Sequence, residues 1–379
     1  MPPSWAPFTW FHPTRIVFGV GALSRLPSVI DDAGEPGARV FLVTGRQSLR
    51  ARGVLDRVLE AVGPRRITLF DAVPPFPAPG VVDTAVDACR RGAAEVIVGI
   101  GGGSALDVAK LVALLAIHPG TARDLAARLA TIGQPGLPVV TVPTTSGSSS
   151  EVTPFATLWD MAGKRSIHHA STLLFPRAAI VDPDLAMAMP RRLAAVTGLD
   201  ALTSAIESYW SREAAPVSDA LALTAIRMLA ENLESSCNGG DADARSACAL
   251  AATVSGVAYT HSRPNVCHAV GSPLTLFWDV SHGQAVAITL PSFLRWTAPA
   301  IPEKLPALWR ALGVSHLDDG VARLADLMER CGLDTRLRAL GLGAPDVETV
   351  LEHTRWERVA MLPRPLGRDE ARAILQALL

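Results

Sequence analysis

The sequence predicts an α/β fold: an N-terminal Rossmann-like parallel sheet with covering helices, followed by an all-α C-terminal half. Three observations carry that expectation. Up to about residue 188, short β-branched runs alternate with helical patterns. A triple glycine at 101–103 closes one of those runs and opens a helix-like segment. Beyond Pro190 the strand signal stops and Ala/Leu-rich helical periodicity takes over.

In chain order, the expected strands are ARVFLVTG (38–45), RITLFDAV (66–73), AEVIVGIGGG (94–103), LPVVTVPTT (137–145) and AAIVDP (178–183). LRARGVLDRVLEAVG (49–63) and VVDTAVDACRRGA (81–93) supply the crossover helices that a parallel sheet requires. PPFPAPG (74–80) reads as a loop. The helical half runs from LAAVTGLDALTSAIESYW through VSDALALTAIRMLAENL to EARAILQALL at the C-terminus. The expected division is a dinucleotide-binding domain at 1–188 and a helical metal and substrate domain at 189–379. A ligand site is expected in the cleft between them, where the carboxyl ends of the strands face outward.

Bulk properties narrow the partners. A chain of 379 residues, 49% hydrophobic, can bury a large core. Its net charge of -1 and the lack of a basic stripe argue against nucleic acid. Apolar stretches such as LVALLAIH (111–118) fall far below the ~20 residues needed to span a bilayer, and MPPSWAPFTWFHP has no leader pattern. The expectation is a soluble, cytoplasmic protein, assembled as a homodimer, acting on a small molecule. Five scattered cysteines, without a C-x-x-C pair, indicate reduced core thiols rather than disulfides or a zinc knuckle.

The chemistry-bearing motifs begin with GIGGGSALDVAK (99–110). Without Cβ atoms at Gly101, Gly102 and Gly103, backbone can approach an anion, and the helix behind offers free N–H groups and a positive dipole end. The spacing matches neither G-x-G-x-x-G nor the P-loop, and a bare triple glycine can be only a tight turn. A second loop, TVPTTSGSSSEVT (141–153), also follows an apolar strand and is dense in hydroxyl donors. Ser104, Asp107, Thr144, Thr145 and Ser148 join the glycines as cofactor-binding candidates.

Asp200, at the expected start of DALTSAIESYW, with His268 and His282, which bound HAVGSPLTLFWDVSH, supplies one carboxylate and two imidazoles. Such a set can hold a catalytic Fe(II) or Zn(II) with a position open for substrate oxygen. The plain alternatives are a helix N-cap and hydrogen-bonded core histidines. Lysine usage adds a hint: Lys110, Lys164 and Lys304 stand against 32 arginines. Lys110 and Lys164 lie in the motif-bearing half, where a compact ammonium can reach a phosphate or a reacting carbonyl, or they are there by chance.

Together these segments resemble the iron-containing (group III) alcohol dehydrogenase family, whose architecture dehydroquinate synthase shares. GGGSALDVAK is similar to the family's GGGS-x-x-D-x-x-K, TTSGSSSEVTPFA to TT-x-GTGSE-x-T, GLDALTSAIESYW to G-x-DAL-x-H-x-x-E, and SHGQAVAITLP to HG-x-x-x-x-x-x-LP; AAIVDPDL is similar to the strand before the domain boundary. The resemblance implies NAD(P) and a metal between two domains, with hydride transfer to a carbonyl that the metal polarises. Its ligand pattern falls on Asp200, Ser204, His268 and His282, so serine replaces the usual second ligand. Ser272 replaces a histidine commonly found four residues after the third. Either a three-ligand metal site survives, or the chemistry is metal-free, with Lys164 or a histidine supplying the polarising charge. The catalytic candidates are therefore Lys164, His268 and Ser272.

The same departures, with ESYWS and HAVGSPLT, resemble the phosphonoacetaldehyde reductase branch, which implies reduction of phosphonoacetaldehyde to 2-hydroxyethylphosphonate in phosphonate natural-product (antibiotic) biosynthesis. Arg263 and Arg165 are the candidates for the phosphonate, or are ordinary surface arginines. At the end of the first strand, Gly45 and Arg46 replace the acid that NAD-preferring relatives carry, which favours NADPH while admitting NADH. The competing readings are a general short-chain alcohol dehydrogenase, a dehydroquinate synthase-like carbon–oxygen lyase, and a catalytically silent nucleotide-binding protein.

Overall fold

The computed structural model describes residues 7–46, 48–51 and 53–379. The first six residues, part of the segment inspected for a leader, lie outside that range. Six strands form one parallel sheet: β1 Arg15–Phe18, β2 Val40–Gly45, β3 Ile67–Val73, β4 Val96–Gly101, β5 Val139–Pro143 and, completing it, Ala178–Val181. Between β5 and that last strand, β6 Phe155–Asp160 and β7 Arg165–Ala170 pair as a separate antiparallel hairpin, so Ala178–Val181 is β8. The order across the sheet is β1-β8-β5-β4-β2-β3.

The crossovers explain why the central strands read as unbroken apolar runs. Helices α1 (Leu26–Ala33) and α2 (Val54–Val62) cover one face through a core containing Val40, Leu42, Val96 and Val98. Helices α3 (Pro79–Gly92) and α4 (Gly103–Ile117) cover the other through a core containing Phe41, Val43 and Ile97. Successive residues of β2 thus bury opposite faces, as a doubly wound sheet demands. β1 and the β6–β7 hairpin were not expected. β1 is a four-residue edge strand with mostly exposed side chains, and the hairpin pairs a mostly apolar β6 with a polar, histidine-bearing β7.

Among the described residues, nothing after β8 is strand. The helical half includes α5 Arg191–Trp210, α6 Pro216–Asn238, α7 Ala242–Ser262, α8 Val266–Trp278, α9 His282–Ala287 and, near the C-terminus, the short α10 Trp356–Val359. Its side chains form one contiguous core. No described helix is long and apolar enough to cross a membrane. All five cysteines are buried and free.

Candidate functional site

The sheet order reverses between β2 and β4, because β3 continues on one side of β2 and β4 on the other. Ligands of doubly wound sheets sit outside the strand ends at such a point. Here those ends are Gly45 and Gly101, and both open into a cavity of about 780 Å³ lined by both halves of the chain. It is also lined by Arg46, Gly102, Gly103, Ser104, Asp107, Thr144, Thr145, Ser148, Asp200, Ser204, Arg263, His268, Ser272 and His282. Segments far apart in the chain thus converge on one space.

The glycine loop is a cradle that side chains would fill. Gly101 has φ 144°, a backbone that L residues rarely adopt, and a Cβ on Gly103 would lie 2.7 Å from Ser148 Oγ. Gly102 caps α4, so the unsatisfied N–H groups of its first turn point into the cavity. These features fit a dinucleotide pyrophosphate. Asp107 works behind the cradle: its oxygens accept from Ser150 Oγ at 2.5 Å and from the Thr157 N–H at 2.8 Å. The loop after β5 is fastened to the helical half as well. Ser149 Oγ donates to the Ala252 carbonyl at 2.6 Å, Tyr259 to Ser148 at 2.5 Å, and Thr253 to buried Glu151 at 3.0 Å.

The lysine hint is corrected. Lys110 does not face a ligand. Its buried ammonium donates to the carbonyls of Ser150 (3.0 Å), Thr153 (3.2 Å) and Phe155, tying the loop after β5 to the hairpin. Lys164 and Arg165 lie in and beside the hairpin turn, and neither lines the cavity. Lys164 donates to the Leu276 carbonyl at 2.6 Å, and exposed Arg165 pairs with Asp160 at 3.1 Å. Metal-free polarisation by Lys164 thus loses its cation, and Arg165 drops out as a substrate contact.

Asp200 is not an N-cap; it sits in the middle of α5. Ser204 lies one turn on, and both face His268 of α8: Asp200 Oδ1 is 3.3 Å, and Ser204 Oγ 3.4 Å, from His268 Nε2. His282 opens α9, its ring centroid 5.4 Å from that of His268. Two glycines make this convergence possible. A Cβ on Gly283 would lie 1.8 Å from the Val196 carbonyl oxygen of α5, and one on Gly271 would lie 2.9 Å from the Ala285 carbonyl oxygen. Donor atoms of Asp200, His268 and His282 lie within 4.8 Å of one another.

That set fits a divalent metal. One carboxylate and two imidazoles suit Fe(II) or Zn(II), and His282 has a buried Nδ1 with no hydrogen-bond partner, as befits a ring whose partner is not protein. His268 Nδ1 donates to the buried Glu207 carboxylate, whose other oxygen accepts from the Cys267 N–H at 2.6 Å. Glu207 therefore fixes the ring with Nε2 toward Asp200, the orienting role that metal-binding imidazoles commonly need. Burial works against protonated His268, but Glu207 and Asp200 outweigh it and raise its pKa to about 9. Burial lowers His282 to about 4. Ser272 Oγ donates to the His268 carbonyl at 2.9 Å, so its hydroxyl presents lone pairs to the cavity rather than a proton.

The sequence reading missed Glu207, Tyr259, His168, Arg355 and Arg358. Glu207 is the glutamate in DALTSAIE, so a motif signal existed. The two arginines, three residues apart near the C-terminus, carry no signal that separates them from thirty others.

Two family models together match nearly the whole chain: iron-containing alcohol dehydrogenase over residues 13–183, and the Fe-containing alcohol dehydrogenase family C-terminal domain over 194–379. Long-chain-alcohol dehydrogenase 1 of Geobacillus thermodenitrificans is 33% identical, the match covering 96% of each chain. A 1,3-propanediol dehydrogenase of Klebsiella pneumoniae is also 33% identical, over 92% of each. The crystal structure of a 1,3-propanediol oxidoreductase superposes with a TM-score of 0.90 at 30% identity, covering 99% of this chain and 100% of that one. A sulfoacetaldehyde reductase of Bifidobacterium kashiwanohense, in complex with NAD+, gives 0.91 at 26% identity over 99% of each chain. The chain belongs to the iron-containing alcohol dehydrogenase family, and it is an NAD-dependent alcohol dehydrogenase.

Proposed function

We propose that this enzyme reduces a small anionic aldehyde, phosphonoacetaldehyde first among them, to the corresponding alcohol, with NADPH as the favoured coenzyme. The observation that carries the reading is the guanidinium of Arg263 on the same cavity wall system as the Asp200–His268–His282 donors. An arginine beside a carbonyl-polarising site selects aldehydes that carry their own negative charge. A sulfoacetaldehyde reductase among the structural relatives supports that substrate class.

In this reading the glycine cradle and the loop after β5 hold the dinucleotide, and the helical wall holds the aldehyde. When bound, the metal supplies Lewis-acid polarisation of the carbonyl oxygen. Asp200, His268 and His282 would hold it, with Glu207 orienting His268 and Ser204 leaving three protein donors and an open position. Fe(II) and Zn(II) suit these donors equally. Gly45 removes the carboxylate that would repel a 2′-phosphate, and Arg46 adds an exposed cation beside it. A homodimer in the cytoplasm remains part of the proposal, as does a place in phosphonate biosynthesis.

The test is steady-state kinetics of phosphonoacetaldehyde against acetaldehyde and propanal, with and without chelator. The expected result is a kcat/KM preference for the charged aldehyde and loss of turnover with chelation. A preference for uncharged aldehydes would favour a general short-chain alcohol dehydrogenase, a reading supported by the propanediol dehydrogenase relatives. A product formed without net NADPH consumption would favour a lyase.

A further inference from the structure

The cavity holds more positive charge than polarising a carbonyl requires. Arg355 and Arg358 line it together with Arg263. Arg355 pairs through Nε with Glu357 at 2.8 Å, yet its Nη1 is buried and makes no hydrogen bond. Buried donors of a charged group are almost always satisfied, so an unsatisfied one on a cavity wall points to a partner that is not protein. Arg358 donates one Nη to the Pro264 carbonyl at 3.1 Å. Pro264 follows Arg263, whose backbone sits at φ 57°, ψ 139°, a region L residues seldom occupy, and whose guanidinium lies 5.7 Å from the Phe155 ring centre.

Arg358 feels the other two cations. Burial, then Arg355, with Arg263 adding to it, pushes Arg358 down to about 10 against the pull of Glu207 and Glu357. Burial, then the charges of Arg355 and Arg358, lowers His168 of β7. The short α10 packs on α8, the helix that carries His268, and Arg358 is bonded to Pro264 just before it, so the cluster stands at the donor-triad end of the cavity rather than at Gly45 and Arg46. Glu357, the carboxylate paired with Arg355, is 65% exposed and offsets only part of the charge.

We propose that Arg263, Arg355 and Arg358 form a subsite for a doubly charged tetrahedral head group, of phosphonate or phosphate class, and that Arg355 and Arg358 set the preference for a dianion over a monoanion. The inference rests on the anionic-aldehyde reading and names the residues that would impose it. Arginine forks match the oxygens of such a group in pairs, and a dianion gains about twice the attraction a sulfonate does. The same chemistry could instead be met by the coenzyme's 2′-phosphate, which the experiment separates.

Arg355→Gln and Arg358→Gln, with Arg→Lys at each position, are compared as holoenzymes on phosphonoacetaldehyde, sulfoacetaldehyde and acetaldehyde. Each Gln variant should lower the kcat/KM ratio of phosphonoacetaldehyde over acetaldehyde roughly 10- to 100-fold, chiefly through KM, with the Lys variants restoring part of it. On the unaltered enzyme, methylphosphonate should compete with phosphonoacetaldehyde at least tenfold more tightly than methanesulfonate does, a measurement that survives any misfolded variant. Ratios unchanged within threefold, or equal inhibition by the two anions, would overturn the subsite while leaving the anionic-aldehyde reading standing. A shift in the NADPH-to-NADH preference instead would assign the arginines to the coenzyme and overturn it too. An unaltered enzyme that prefers acetaldehyde over both charged aldehydes would remove the parent reading itself.

Discussion

Replacing Gly283 by alanine would put a methyl group 1.8 Å from the Val196 carbonyl oxygen and 2.6 Å from its carbon. Both atoms are backbone, so no side chain can swing aside. To reach an ordinary contact of 3.4 Å, α9 and α5 must separate by roughly 1.6 Å. His282 is the next residue back, and its ligand atom lies within 4.8 Å of those of Asp200 and His268. Metal–ligand distances tolerate about 0.2 Å, so a displacement several times larger removes His282 from the set. The expected outcome is metal affinity down at least roughly 10- to 100-fold, with an overpacking cost of about 1–3 kcal/mol. Metal content after gel filtration, chelator competition and thermal melting measure these effects. Gly80→Ala in α3, where a Cβ meets nothing within 4 Å, is the control and should leave metal content alone. Full metal occupancy and an unchanged melt in Gly283→Ala would refute the claim that this contact brings His282 to Asp200.

Glu207→Gln removes the charge from the group that orients His268 and should weaken metal binding roughly 10- to 100-fold in chelator competition; equal affinity would show that the ring is held by packing instead. Lys110→Met leaves three carbonyls and Asp107 without their ammonium partner. At about 1–3 kcal/mol for each unsatisfied group, urea unfolding should report a loss of several kcal/mol, and NADPH titration a weaker complex; a loss below about 1 kcal/mol would contradict this role. Arg46→Ala should lower the NADPH-to-NADH ratio of kcat/KM about three- to tenfold, a modest effect because the side chain is exposed, and an unchanged ratio would show that Arg46 takes no part in coenzyme choice.

What could be read from the chain follows from burial. β2, β4, β5 and β8 are buried on both faces, so they appear as continuous β-branched runs that nothing else in the sequence imitates. β1 and the hairpin lack that signature: β1 is an edge of four residues, and β7 carries Arg165, Ser166, His168 and His169 within six. With the hairpin unseen, Lys164 and Arg165 appeared to belong to a motif near the site, whereas the turn holds them outside the cavity. Asp200, expected at the start of DALTSAIESYW, lies well inside α5, which begins at Arg191. The first turns of that helix, RRLAAVTG, include Thr197 and Gly198, residues that weaken a helical signal, and a Cβ on Gly198 would lie 2.2 Å from a Leu233 methyl group.

Rarity identified residues under constraint without saying which constraint. Lys110 is lysine because a flexible ammonium can gather three carbonyls in a closed space where a planar guanidinium could not, and that is architecture, not phosphate binding. The arginines show the converse. Abundance hid Arg355 and Arg358, since one pair among 32 has no contrast, and only the packing of the C-terminal segment against α8, with Arg358 donating to the Pro264 carbonyl, gives them a common destination. Ser204 connects these observations. Where the family pattern has a histidine, this chain has a hydroxyl 3.4 Å from His268 Nε2, so one imidazole's volume is absent from the helix face that also carries Asp200, in the cavity that the arginines line. A three-donor site suffices to hold a catalytic metal, and in the proposed reading the volume released at Ser204 is room for the substrate's charged head group. In that reading the missing ligand and the surplus charge are two parts of one adaptation: the site gives up a donor it can spare and gains room for a larger, charged substrate.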